Sequence, residues 1–280
     1  MIKVFYYIKI LRPLNIFLSF ISVLMSSYLV HKSYSSSLFY VILTVICFTG
    51  ASNILNDIFD IKIDQINRPH RILASKKIKL FEALFLVCFL YFIGIFATFY
   101  IFPLAQQIAL YFVLPLSILY TPFIKRLPLI GNIVVSIIIG LVFIFTESAL
   151  VGKIEKMWLP FFLASFLSII RELCKDGEDI IGDSVSYINT FPKVFGLSKT
   201  VVLLRILTLT FCIFSIIPFI KSQYGWFYLI FLFFGIIIPL IYSVFIVLNK
   251  NSIPIDFSYI SKILKLLTII GIGVIFSTGF

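Results

Sequence analysis

Apolar residues run in blocks of about twenty along almost the whole chain, and polar residues collect in the gaps between them. Blocks of that length match the thickness of a bilayer's hydrocarbon core when wound as helix. They predict nine membrane-spanning helices, at about 14–30, 38–56, 81–99, 102–121, 129–149, 158–175, 199–219, 225–248 and 263–279. A β-barrel would need alternating segments of about ten residues, and these blocks are continuous. The expectation is an all-α integral membrane bundle, with residues 1–280 as one domain, since no Gly/Ser- or Pro-rich linker divides the chain. Before the first block, "MIKVFYYIKILRP" scatters its charges among aromatics, as an interfacial helix does and a cleaved signal peptide does not.

Composition agrees: 61% of residues are hydrophobic and 12% charged, against about 25% charged in soluble domains. The net charge of +11 would point to nucleic acid if the cations formed a patch, but they sit in alternate loops. Eighteen Lys and Arg fall on one side, including Arg12, Lys62, Arg68, Arg71, Lys125, Arg126, Arg171, Lys175, Lys193 and Lys250. Four fall on the other (Lys32, Lys153, Lys156 and Lys221), and Arg205 lies inside the seventh block. The positive-inside rule then puts the N-terminus in the cytoplasm and the C-terminus outside. The four cysteines have no metal-type spacing; three lie within spans and read as packing residues, and Cys174 stands beside the second aspartate stretch.

The acids are distributed differently. Of seven aspartates, six lie in "NILNDIFDIKID" (53–64) and "KDGEDIIGD" (175–183), in each case spaced three and then four apart. On a helix, Asp57, Asp60 and Asp64 project within roughly 60° of one another, with Asn53 in the same arc. Glu172, Asp176, Asp179 and Asp183 share a face in the same way, although Gly177 and Gly182 weaken helix there and favour a loop in the later part. Both stretches end even-numbered spans and face the cytoplasm, opening the long loops at about 57–80 and 176–198. Neither face carries a cation of its own. Clustered carboxylates do not all ionise unless positive charge sits between them, and hard oxygen donors suit Mg²⁺, which completes its shell with water and substrate phosphates. Ordinary solvated loop acids would be scattered, yet only Asp256 lies apart. Glu147, near the outer end of the fifth span, reads as a solvated acid at least as readily as a buried one.

At these residues the chain resembles the UbiA family of intramembrane prenyltransferases. "NDIFDIKID" fits the family's first signature, N-D-x-x-D-x-x-x-D, and "NRPHR" (67–71) its continuation. "KDGEDIIGD" with "TFP" (190–192) fits the second, "YTPFIKRLPLIGN" (120–132) the loop after helix 4, and "LRPLN" (11–15) the start of helix 1. The resemblance implies that Asp57, Asp60, Asp64, Asp176, Asp179 and Asp183 hold Mg²⁺ and a prenyl diphosphate, with Asn15, Asn53 and Asn56 beside them. It implies that Arg68, Lys125, Arg126 and Lys175 neutralise the leaving diphosphate, and that Tyr120 lines the wall facing the allylic cation. The family often continues "RPxRPxPSG" where this chain has "RPHRILASKK", with Ile72 and Lys77 in place of Pro and Gly.

Within the family, "KDxEDxxGD…TxP" looks most like the enzymes that form an ether on geranylgeranylglyceryl phosphate. Aromatic acceptors (homogentisate, hydroxybenzoate or chlorophyll-type) are the alternative. The partners expected are a prenyl diphosphate donor, a lipophilic acceptor and membrane lipids, with no nucleic acid. A divalent-cation channel or transporter is the reading from a different class; it requires a polar path across the spans, and few polar residues interrupt them.

Overall fold

The structure is a computed structural model that describes residues 2–31, 36–184, 188–249 and 251–277. Lys32 and Lys250, counted above for topology, lie outside the described residues. Among those described there is helix and no strand. The helices are α1 (Ile2–Ile10), α2 (Pro13–Leu29), α3 (Ser37–Phe59), α4 (Ile61–Asn67), α5 (Leu80–Thr98), α6 (Pro103–Tyr120), α7 (Ile130–Val151), α8 (Trp158–Ser184), α9 (Phe191–Phe195), α10 (Leu197–Ile220), α11 (Trp226–Val247) and α12 (Pro254–Phe276). Seven of the described helices are long and apolar enough to cross a membrane, or eight if the bent pair α1–α2 counts as one span. The predicted span that is not among them is the sixth, which corresponds to α8. Its 27 residues extend about 40 Å, but Arg171, Glu172 and Lys175 interrupt its apolar character.

The chain forms two compact units, residues 1–124 with 141–158, and residues 125–140 with 159–280. In the first, α5 packs closely along α3. A Cβ on Gly94 would come within 2.6 Å of the Phe48 ring, so the crossing requires glycine there. Tyr91 on α5 ties the polar atoms together, bonding Ser117 on α6 at 3.0 Å and Ser52 on α3 at 3.4 Å. Glu147 is buried, not solvated. Its carboxylate accepts the backbone N–H groups of Glu155, Lys156 and Met157 at 2.9–3.0 Å, which supplies partners to the turn that leads into α8.

In the second unit, α8 packs on α12. Gly177 does not break α8; a Cβ there would lie 2.4 Å from Phe257, so the glycine is the small residue that allows the close approach. Packing overrides the weak helix propensity of Gly177 and Gly182, and the helix runs on to Ser184. The expected loop at 176–198 is thereby shortened, as is that at 57–80, where α4 forms. Glu178 accepts from Ser258 (3.2 Å) and Ser261 (2.9 Å) of α12. That helix starts at Pro254, not near 263, because Pro254 suits the first turn and Asp256 accepts the Ile253 N–H at 2.9 Å. Arg205 of α10 donates to the carbonyls of Leu248 (2.9 Å) and Phe245 (3.4 Å), which terminate α11. Wide helical turns precede Pro115 and Pro239, where proline lacks the N–H that would continue the ladder.

Candidate functional site

The first acid stretch crosses the joint between α3 and α4. Asp60 takes φ −88°, ψ 4° there, yet its N–H still reaches the Asn56 carbonyl at 3.0 Å, and Asp64 N–H reaches Asp60 at 2.8 Å. Helical register therefore carries across the joint, and Asp57, Asp60 and Asp64 are all buried, with 3–5% exposure.

The expectation of a face without cations holds for the helix alone and fails for its surroundings. Arg71 Nη1 donates to Asp64 Oδ2 at 2.7 Å and to Asp57 Oδ1 at 3.2 Å. Arg12 Nη2 donates to the same Asp57 oxygen. Local structure delivers both guanidiniums. Arg12 stands at the 52° bend between α1 and α2 in the left-handed region (φ 57°), a conformation costly for a residue with a Cβ. Arg71 is held by a tight turn in which Ile72 and Leu73 are buried at 3% and 5% exposure. The departure from the family's loop at Ile72 thus supplies an apolar anchor beside the arginine. Burial drives the Asp64 carboxyl above its ordinary range, and Arg71 pulls the other way.

The amides expected beside substrate are engaged within the first unit. Asn53 donates to the Leu11 carbonyl at 3.0 Å and accepts from Asn15 at 3.4 Å, fixing the α1–α2 corner against α3. Asn56 accepts from Thr121 at 3.3 Å. Arg68 closes α4 through its N–H to the Asp64 carbonyl at 2.8 Å.

The second acid stretch lies on continuous helix, where the Asp176 and Asp183 carboxylates accept from neutral donors. Asn132 Nδ2 donates to Asp176 Oδ2 at 2.7 Å, and the Thr190 hydroxyl to Asp183 Oδ2 at 3.1 Å. The nearby cations gather on Glu172, which accepts from Arg171 at 2.9 Å and from Lys175 at 3.0 Å. Glu172 therefore serves as counter-ion and not as a fourth member of the acid face. Lys125 and Arg126 lie in a short 3₁₀ turn at Ile124–Arg126, and the Arg126 carbonyl accepts the Asn189 N–H at 3.2 Å. Asp60, Asp179, Tyr120 and Lys125 each have interactions of their own. Reading the sequence missed Arg12, Arg71, Asn132 and Thr190 as site residues. All four lie inside the quoted motifs, which was the available signal.

The donor set suits a hard divalent cation. Buried carboxylates supply the oxygens, and a positively charged nitrogen, Arg71 Nη1, already stands between Asp57 and Asp64. Among the described residues no three acids, histidines or cysteines are preassembled around one metal position. An ion at the first cluster must therefore contend with the guanidinium.

The model of the UbiA prenyltransferase family matches residues 16–266. The chain belongs to this family. It is similar to the digeranylgeranylglyceryl phosphate synthase of Methanosphaera stadtmanae, 34% identical over 247 residues that cover 88% of this chain and 89% of the relative. The synthase of that name from Methanospirillum hungatei is 32% identical over 231 residues, covering 80% of this chain and 79% of the relative. A solved digeranylgeranylglyceryl phosphate synthase shares the fold at TM-score 0.76 and 29% identity, covering 100% of this chain and 99% of the other. A UbiA homologue from Archaeoglobus fulgidus bound to GPP and Mg²⁺ shares it at TM-score 0.68 and 16% identity, covering 96% and 99%. The UbiA chain described here is thus a multi-pass membrane prenyltransferase, and the channel reading is set aside.

Proposed function

We propose that this UbiA enzyme transfers a prenyl group from a prenyl diphosphate to a glycerol-phosphate lipid such as geranylgeranylglyceryl phosphate, forming an ether, with Mg²⁺ as its cofactor. The observation that carries the reading is similarity to synthases of that name along 88% of the chain. Asp57, Asp60 and Asp64 would hold Mg²⁺ in the first unit, and Asp176, Asp179 and Asp183 in the second. When bound, Mg²⁺ neutralises diphosphate charge and eases its departure.

The protein's own groups do the rest. Arg68, Lys125, Arg126 and Lys175, with Asn15, Asn53 and Asn56, bind and orient the diphosphate. The C1–O bond of the donor breaks, and its electron pair leaves with the diphosphate. The allylic cation faces aromatic side chains, Tyr120 among them, in a space that excludes water. The acceptor hydroxyl attacks C1, and its proton passes to the released diphosphate as the ether forms. In this reading α8 also crosses the membrane and brings the spans to nine, the N-terminus is cytoplasmic, and the chemistry takes place at the cytoplasmic ends of the helices, as eighteen cations against four argue.

The test is incubation of purified protein with Mg²⁺, geranylgeranyl diphosphate and pooled acceptors, read by mass spectrometry. The expected product is the glycerol-phosphate lipid carrying a second prenyl group. Products on homogentisate or hydroxybenzoate, with none on the glycerol-phosphate lipid, would overturn the acceptor assignment.

A further inference from the structure

Arg71 and Arg12 both lie against the first acid cluster. Arg71 Nη1 contacts one oxygen of Asp57 and one of Asp64, at 3.2 and 2.7 Å. Its side chain is 18% exposed, and those of its acid partners 6% and 5%. A charge-assisted contact in such a place is much stronger than one in water. A divalent ion that takes the same oxygens has to break it. Displacing a guanidinium into a partly buried space with no new acceptor is costly. A diphosphate removes that cost, because a guanidinium binds phosphate oxygens through the same planar fork it uses for carboxylates.

We propose that Arg71 guards the oxygens of Asp57 and Asp64, so that the first acid cluster accepts a divalent ion only together with a diphosphate that takes over the guanidinium. Free metal alone then binds the cluster poorly. The donor enters as its metal complex, and metal affinity rises when diphosphate is present. Linkage makes this reciprocal: the metal raises diphosphate affinity by the same factor. Arg71 acts here as a positioning residue that sets the order of binding. The proposal rests on the reading of Asp57, Asp60 and Asp64 as metal ligands.

The test uses Mn²⁺ as a paramagnetic probe on the full-length protein in detergent, with ions bound per chain counted by electron paramagnetic resonance. Wild type is titrated with and without inorganic pyrophosphate, and Arg71→Gln and Arg71→Lys are titrated alongside. In wild type, pyrophosphate is expected to add at least one bound ion per chain. In Arg71→Gln that ion is expected to bind without pyrophosphate, at least about tenfold more tightly than in wild type. Arg71→Lys keeps the positive charge without the planar fork and is expected to fall between wild type and Arg71→Gln. Equal wild-type binding with and without pyrophosphate would overturn the guarding role and leave the metal assignment standing; this result needs no variant to fold. Unchanged or weaker Mn²⁺ binding in Arg71→Gln would overturn it as well. No Mn²⁺ bound under either condition would remove the metal assignment, and the proposal with it.

Discussion

The two aspartate stretches have the same spacing and are neutralised in different ways. The first meets two guanidiniums brought from outside its helices. At the second, Asp176 and Asp183 accept from an amide and a hydroxyl, Arg171 and Lys175 pair with Glu172, and Lys193 donates to the Asp183 backbone carbonyl at 2.9 Å. Identical spacing therefore does not mean identical electrostatics. At the first stretch two guanidiniums contact Asp57 and Asp64, whereas at the second Asp176 accepts from the Asn132 amide and Asp183 from the Thr190 hydroxyl.

The largest expected effect separates activity from stability. Asp57→Ala and Asp176→Ala should each lower turnover by at least about a hundredfold, since metal-held charge stabilisation is worth several kcal/mol. Asp57→Ala should also cost about 3–5 kcal/mol of stability, because it strips Arg12 and Arg71 of a buried partner. Asp176→Ala leaves only Asn132 without its acceptor and should cost about 1–3 kcal/mol. Thermal unfolding in detergent beside turnover checks both. Equal destabilisation by the two would erase the contrast.

Next in size, Gly177→Ala should cost about 1–3 kcal/mol through its clash with Phe257. Pairing it with Phe257→Leu should recover part of that loss. If the double variant is no more stable than Gly177→Ala, the glycine serves something other than close packing. The smallest effect is expected at the isolated acid. Asp256→Ala removes the acceptor of the Ile253 N–H and should lower stability by about 1 kcal/mol with turnover unchanged. A large loss of turnover there would add a third acidic region to the comparison.

The spans were legible because apolar length is written in the chain itself. The start of α12 was not, because Asp256 and Lys262 lower the hydropathy of a stretch that is helical all the same. Gly177 read as a helix breaker because its partner, Phe257, lies far away in sequence. The two acid faces could be drawn from spacing alone. Their counter-charges could not, since Arg12 comes from 45 residues before Asp57 and Arg71 from beyond the end of α4. Both arginines also had a sufficient explanation as topology signals, which hid their second role.

Arg205 carries a consequence for how the chain is built. An arginine in the middle of a span resists insertion, by about 2.5–3.5 kcal/mol on translocon scales. Here the guanidinium ends against carbonyls of Phe245 and Leu248, some 40 residues downstream. Those carbonyls close a helix and have no partner within it. Each group thus removes the other's penalty, but only once both have left the ribosome. The stretch at Leu197–Ile220 is apolar enough to cross a membrane by itself, and its arginine gains these acceptors only when the second half of the hairpin has followed it into the bilayer.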